Sequence, residues 1–298
     1  MKILVTGAAG FIGGHLVDRL INEGHNVWGI DNCSTGEPHF NVRAIYVFLD
    51  LSHSVTEISD YIKFQRFDAI YHLAAIARVQ PSIQDPQRYY SNNVNSTLNL
   101  LEACRLNEFK GKIVFTSSSS VYNGIRAHNI SNSEYLDKTV AGSPYALSKI
   151  HCEELCRYYS EHYGLNISIA RPFNVYGPRM AHGGYSTVLQ TFLDNYRDKK
   201  PLIIYGDGSQ RRDFTFVSDI IQGLLLLGND SYSGCSIFNI GSGKNYSIKE
   251  IADLFPCKKI YMEKRDEPEN TLANISRLKD LGYQPEYNVL EWIKTQIE

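Results

Sequence analysis

The chain has 298 residues, 43% of them hydrophobic, enough to bury a large core in one big domain or one domain with a smaller lobe. Its 30 basic and 32 acidic residues leave a net charge of −2 with no dense basic run, which argues against nucleic acid or anionic membrane as partner and favours a small molecule. The six cysteines form no CxxC pair, no signal peptide precedes the first strand, and residues 220–227 are too short an apolar run to span a bilayer, so a soluble cytoplasmic chain without a metal site is expected.

Residues 2–6 read as a buried strand, followed by Gly7-Ala8-Ala9-Gly10-Phe11-Ile12-Gly13 and an amphipathic helix to about residue 23. A second strand over 26–30 ends at Asp31. Strand, glycine turn, helix, strand and acid make a dinucleotide fingerprint in GxxGxxG spacing. Gly7, Gly10 and Gly13 let the backbone of Phe11 and Ile12 approach a pyrophosphate at the helix N-terminus, while Asp31, with Asn32 beside it, accepts ribose hydroxyls. A carboxylate there repels a 2′-phosphate, and no Arg follows at once, so NAD is expected over NADP.

The alternation continues with a strand over 44–49 ending at Asp50, a helix over 55–64, a strand over 68–73 ending in Ala74-Ala75, and a long helix over 89–107. This predicts an α/β Rossmann fold, a doubly wound parallel sheet with a smaller, interleaved C-terminal substrate-binding lobe. Asp50 and Leu51, at a strand's carboxyl end, are placed to meet an adenine; His72, heading an apolar strand end, reads as a satisfied core histidine.

The strand over 112–115 delivers Thr116 through Ser120 at its carboxyl end. Ser143 suits an N-cap and Pro144 a first helical position, so Tyr145 and Lys149 fall four residues apart on one face of a helix over 144–163. Phenol, ammonium and serine hydroxyl can then converge; an adjacent ammonium and a helix N-terminus both favour a phenolate. A second YxxxK, Tyr196 to Lys200, runs into Pro201 with no serine strand upstream and reads as a solvated helix end. The two long helices also suit pairing across a twofold, giving a homodimer through a four-helix bundle.

After a strand over 166–170 and Arg171-Pro172-Phe173-Asn174, the rhythm loosens. The chain divides into a cofactor-binding part, residues 1–175 with 214–242 returning to it, and a substrate-binding part, residues 176–213 and 243–298. A helix over 187–199, a strand over 202–205 and short elements near Tyr246, Ile260 and Leu278 fall in the latter, and 237–240 is a strand of the former.

Seven stretches in order resemble the extended short-chain dehydrogenase/reductase family, and within it the nucleotide-sugar epimerase and dehydratase group: TGAAGFIG at 6–13, HLAA at 72–75, NNVN at 92–95, SSSSVY at 117–122, SPYALSK at 143–149, RPFNVYGPR at 171–179 and YGDGSQRRDFTFVSDI at 205–220. The resemblance implies Ser118 as the catalytic hydroxyl, Tyr145 as the base and Lys149 as the residue holding the nicotinamide ribose. It implies cofactor contacts from Leu73, Ala74, Ala75, Asn93 and Pro172. Ser119, Asn174, Arg179, Val188, Tyr205, Arg212 and either Arg265 or Lys264 would meet the sugar nucleotide. The usual Arg-Pro-Gly-acid stretch is altered here to Lys264-Arg265-Asp266-Glu267-Pro268, and Asn123 stands where the group has glycine.

Family dehydratases and decarboxylating members carry an acid just after the catalytic hydroxyl, because a leaving group needs a proton; Ser119 and Ser120 occupy those positions here. The resemblance therefore implies an NAD-dependent 4-epimerase acting on a UDP-sugar. Rivals on the same scaffold are a 4-ketoreductase or 4-dehydrogenase and a 4,6-dehydratase; a rival of another class is a dinucleotide-sensing binding protein.

Overall fold

The computed structural model describes residues 1–122, 141–183, 186–230, 232–265 and 267–298, so Asn123, Gly184, Tyr185 and Asp266 lie outside the described residues. Seven strands form one parallel sheet in the order Ile45–Phe48, Asn26–Asp31, Lys2–Thr6, Ala69–His72, Lys112–Thr116, Asn166–Pro172, Cys235–Ile240. The expected doubly wound α/β fold is therefore present. Side chains alternate between its faces with the strand period of two. Ile3, Val5, Ala69, Tyr71 and Val114 pack with the helices Phe11–Asn22 and Val217–Gly228, whereas Leu4, Ile70, Ile113 and Phe115 pack with Val55–Gln65, Pro86–Leu106 and Pro144–Tyr163. Both faces are covered, which is why the strands read as nearly continuous apolar runs.

The chain reverses direction across the sheet between Lys2–Thr6 and Ala69–His72, and open sheets bind ligands at the carboxyl ends flanking such a reversal. A third cluster, including Tyr176, Phe192, Leu202, Phe216, Phe255 and Ile293, gives the later part of the chain its own core.

Elements not expected include a short helix Val79–Gln84, a 3-10 turn Ser119–Tyr122, the short strands Val175–Tyr176 and Arg211–Asp213, and a C-terminal helix Val289–Ile297. The last was legible in principle, since Asn288, a good N-cap, precedes apolar residues at helical spacing; in the structure Asn288 accepts the Leu290 N–H and Val289 and Ile293 are buried. The segment Thr215–Phe216 pairs with Val175–Tyr176 in a separate two-stranded ribbon, outside the central sheet. Tyr196 donates to the Ile297 carbonyl and Lys200 pairs with exposed Asp198, so the second YxxxK is far from the serine strand in role as well as position. Among the described residues, no helix is long and apolar enough to cross a membrane and no cluster of His, Cys, Asp and Glu is built to hold a metal.

Candidate active site

A cleft of about 580 Å³ opens at the reversal and runs from the glycine turn to the serine strand. Gly7 adopts φ +68°, and a β-carbon there would lie 2.8 Å from the backbone of Leu73 and Ala74. A methyl on Gly13 would sit 1.9 Å from the Gly7 carbonyl oxygen. Those two glycines close the strand–turn–helix junction itself. Gly10 is different: its β-carbon would come no nearer than 3.4 Å, ordinary contact, although Gly10 lines the cleft and N-caps the helix Phe11–Asn22 without a side-chain cap. Protein packing does not require that glycine. It leaves room, and uncapped first-turn N–H groups, for a phosphate at the positive end of the helix.

Asp31 closes the strand Asn26–Asp31, and its carboxylate is fixed by the Ala9 N–H at 2.9 Å and the Cys33 N–H at 2.8 Å. Asn32 donates to Asp50 at 2.8 Å. Burial pushes the Asp50 carboxyl up, but hydrogen bonds from Ser52 and Asn32 outweigh it and hold it below the ordinary value. With Leu51, Leu73, Ala74 and Ala75, these residues line the glycine-turn end of the cleft, and the whole set fits a dinucleotide.

At the other end stand Ser117 to Ser120, Tyr145, Lys149 and Pro172. Ser143 accepts the Ala146 N–H at 3.1 Å and Pro144 occupies the first turn, which places Tyr145 and Lys149 in the opening turns of Pro144–Tyr163. Tyr145 packs edge-on to Tyr89 and its backbone N–H is bound by Ser82 Oγ. Lys149 is buried, with Nζ donating to the Thr116 carbonyl at 2.8 Å. Ser118 Oγ accepts the Ser120 N–H and donates to Ser120 Oγ, starting the turn Ser119–Tyr122. Beneath this strand end, Ser117 donates to Glu153, itself in a buried ion pair with Arg171.

His72 is buried between the Thr6 and Thr97 hydroxyls, and burial and then the Lys149 charge push it down to about 3, so it stays neutral. Asn93 is placed within the protein's own hydrogen bonds. Its side chain accepts the Ile76 N–H, donates to the Ile76 carbonyl and to Ser148, and does not line the cleft. It holds the loop after Ala75, and Asn92, one residue earlier on the helix, lines the cleft.

The residues expected to meet a sugar nucleotide divide. Ser118, Ser119, Asn174 and Arg179 line the cleft, although Asn174 donates to the Asp213 carbonyl and Arg179 to Asp18 at 2.8 Å. Val188, Tyr205, Arg212 and Arg265 do not line it. Arg212 donates to the Arg211 and Pro268 carbonyls and to Glu267 at 2.6 Å. Arg265 stacks on Tyr205, Lys264 pairs with Glu269, and Val188 opens the helix Val188–Arg197 as a partly exposed residue.

Arg78 lines the cleft near Tyr145 and was not anticipated. Its φ of +103° is uncommon for a residue with a side chain, and nothing in the identity of an arginine announces it.

Set beside known proteins, residues 3–241 match the family model described as "NAD dependent epimerase/dehydratase family". The chain is 34% identical over 321 residues to the UDP-glucose 4-epimerase of Mycolicibacterium smegmatis, covering all of this chain and 98% of that one. It is 30% identical over 320 residues to the UDP-N-acetyl-alpha-D-glucosaminuronate decarboxylase of Bacillus cytotoxicus, covering 100% and 97%. The crystal structure of UDP-glucuronic acid 4-epimerase from Bacillus cereus, in complex with UDP-glucuronic acid and NAD, superposes with a TM-score of 0.89 at 32% identity, covering 100% of this chain and 98% of that one.

Proposed function

Because the chain belongs to the NAD-dependent epimerase/dehydratase family, we propose that it inverts the 4-hydroxyl of a nucleotide-diphosphate sugar, a UDP-hexose foremost, through a transient 4-keto sugar. The observation that carries the reading is the single cleft shared by the glycine turn, Ser118, Tyr145 and Lys149. Asp31 favours NAD as the cofactor by accepting ribose hydroxyls and repelling a 2′-phosphate.

When bound, NAD supplies a reversible two-electron oxidation at the sugar's C4. Tyr145 removes the 4-hydroxyl proton and later returns it; Ser118 hydrogen-bonds the same oxygen. Lys149, held by the Thr116 carbonyl, reaches the nicotinamide ribose and supplies positive charge beside Tyr145. Ser119 and Ser120 are poor proton donors to a leaving group at neutral pH, which favours epimerisation over dehydration. Residues 1–175 with 214–242 serve the cofactor, and 176–213 with 243–298 serve the substrate. Arg179, Arg212 and Arg265 are assigned to the diphosphate and Tyr205 and Val188 to the nucleotide-sugar wall, with Asn174 joining that wall from the end of the cofactor part.

The helices Pro86–Leu106 and Pro144–Tyr163 pack together and carry Tyr90, Leu98 and Tyr158 exposed, a surface suited to a twofold four-helix dimer, which light scattering would test. The decisive experiment incubates purified protein with UDP-sugars and no added NAD. Formation of the 4-epimer supports an epimerase that recycles a retained cofactor. Net oxidation or reduction only with added cofactor would replace this reading with the dehydrogenase or ketoreductase one.

A further inference from the structure

We propose that the buried pair Glu153 and Arg171 positions Ser118, clamping the turn that carries this hydroxyl from both ends and fixing it against the helix that carries Tyr145. Neither Glu153 nor Arg171 lines the cleft, so both act through other side chains. The proposal rests on the 4-epimerase reading above and adds how the site of that reaction is assembled.

Lys149 and Glu153 follow Tyr145 at four-residue intervals on one face of the helix Pro144–Tyr163. Lys149 holds the Thr116 carbonyl, and Glu153, one turn further on, accepts the Ser117 hydroxyl. Successive helix turns thus grip successive residues of the strand end, just before Ser118. Arg171 lies on the strand Asn166–Pro172, beside Pro172, which lines the cleft. Its Nε donates to one oxygen of Glu153 at 2.8 Å and its Nη2 to the other. Its Nη1 donates to the Tyr122 hydroxyl at 2.6 Å, and Tyr122 donates to Asn239 at 2.9 Å. Ser117 and Tyr122 therefore stand on either side of residues 118–120, where Ser118 Oγ bonds the Ser120 N–H and hydroxyl.

Glu153 is 0% exposed and Arg171 1%. A buried ion pair adds little net stability, because desolvating two charges offsets their attraction. What it supplies is direction: a two-pronged guanidinium contact admits one orientation and aims the remaining N–H at a fixed angle. Burial opposes the Arg171 charge, but hydrogen bonding and attraction from Glu153 outweigh it and hold the guanidinium above its ordinary value, so the fork stays charged. The fork joins the Ser117 end of the turn, the Tyr122 end and the helix of Tyr145 in one rigid unit. Such rigidity matters for the reaction, because a misplacement of ~1 Å between reacting groups can cost on the order of 10²-fold in rate.

The test measures kcat and KM on the wild type, Ser118→Ala, Glu153→Gln and the double variant, with whichever of UDP-glucose, UDP-glucuronic acid and UDP-N-acetylglucosamine the wild type turns over best. NAD retention and amide hydrogen exchange are followed on the same proteins. Glu153→Gln keeps the shape and removes the charge; it is expected to lower kcat by about 10- to 100-fold, with KM and NAD retention little changed. Once Ser118 is alanine, the same substitution should lower kcat by less than about threefold more, because Glu153 acts through that hydroxyl. Amides of residues 117–122 should exchange at least about tenfold faster, the effect of one hydrogen bond to a charged group, with those of Lys112–Thr116 and Pro144–Tyr163 unchanged. Ser117→Ala, which leaves the ion pair in place, should give the same pattern in smaller measure, and it carries the test should Glu153→Gln not fold.

Losses that multiply in the double variant would overturn the proposal and leave the epimerase standing, since Glu153 would then support the protein at large. Exchange that quickens equally across strand, turn and helix would overturn it too. Should the wild type convert none of the three sugars, the 4-epimerase reading falls, and the exchange pattern alone decides whether the pair holds the turn.

Discussion

The glycine-turn end of the cleft and the region assigned to the sugar nucleotide are built from different materials. The first is backbone: a glycine at positive φ against Leu73 and Ala74, another under the Gly7 carbonyl, a helix N-terminus and one carboxylate pinned by two N–H groups. The second is long side chains already engaged with the protein. Arg212 is tied to Glu267 and two carbonyls, Arg265 lies on Tyr205, and Arg179 bonds Asp18. The dinucleotide end is thus fixed by local geometry, whereas the arginines assigned to the sugar nucleotide are held by contacts within the protein.

The largest expected effect separates chemistry from both regions. Tyr145→Phe should cost at least ~10³ in turnover while NAD remains bound, as removal of a base rather than a binding group does. Near-normal turnover, or loss of NAD with it, would remove Tyr145 from its role.

The same contrast explains what the sequence could say. Glycine spacing, a strand-ending acid and an N-capped YxxxK are local, because each depends on residues within one turn or one strand–helix unit; they mark Gly7, Gly13, Asp31, Tyr145 and Lys149 without knowledge of the fold. The alternation of strands and helices, and with it the α/β class, was legible for the same reason. The placement of Asn93 was not legible in the same way, because a helix turns its side chains by about 100° per residue and only packing decides which of Asn92 and Asn93 lines the cleft. Arg78 was silent because its backbone conformation is imposed by Asn93 and Tyr89, 15 and 11 residues further along the chain.

Two glycine substitutions sharpen the distinction within the dinucleotide end. Gly13→Ala forces a β-carbon onto the Gly7 carbonyl and should cost about 1–3 kcal/mol of stability before any ligand is added. Gly10→Ala meets only ordinary contact and should cost no more than about 1 kcal/mol. Yet Gly10→Ala should still weaken NAD binding, because the methyl enters the cleft. Urea titration with and without NAD separates the two; equal effects on stability would dissolve the difference drawn between them. Asp31→Ala should weaken NAD and narrow its advantage over NADP by about tenfold, the worth of hydrogen bonds to a charged group. Unchanged discrimination in paired binding titrations would release that carboxylate from the assignment.

On the sugar-nucleotide side, Arg212→Ala should raise KM for the UDP-sugar by about tenfold with kcat nearly kept, the pattern of lost uniform binding. A fall in melting temperature at constant KM would instead make Arg212 a strut between its strand and the Glu267–Pro268 stretch.

The smallest effect belongs to the contact that joins the regions. Asp18, on the helix after the glycine turn, accepts from Asn41 at 2.7 Å and from Arg179 at 2.8 Å. Burial raises its carboxyl, but these hydrogen bonds outweigh burial and hold it below the ordinary value. A carboxyl lowered by folding contributes stability that is fully present above its unfolded value and is lost as pH falls through the lowered folded one. Asp18→Asn should therefore trail the wild type by a small margin at neutral pH, and the margin should close in acid. Urea midpoints across that range give the result directly. A margin that stays constant into acid would mean that Asp18 joins the two regions by shape alone, leaving Arg179 to face the diphosphate unrestrained.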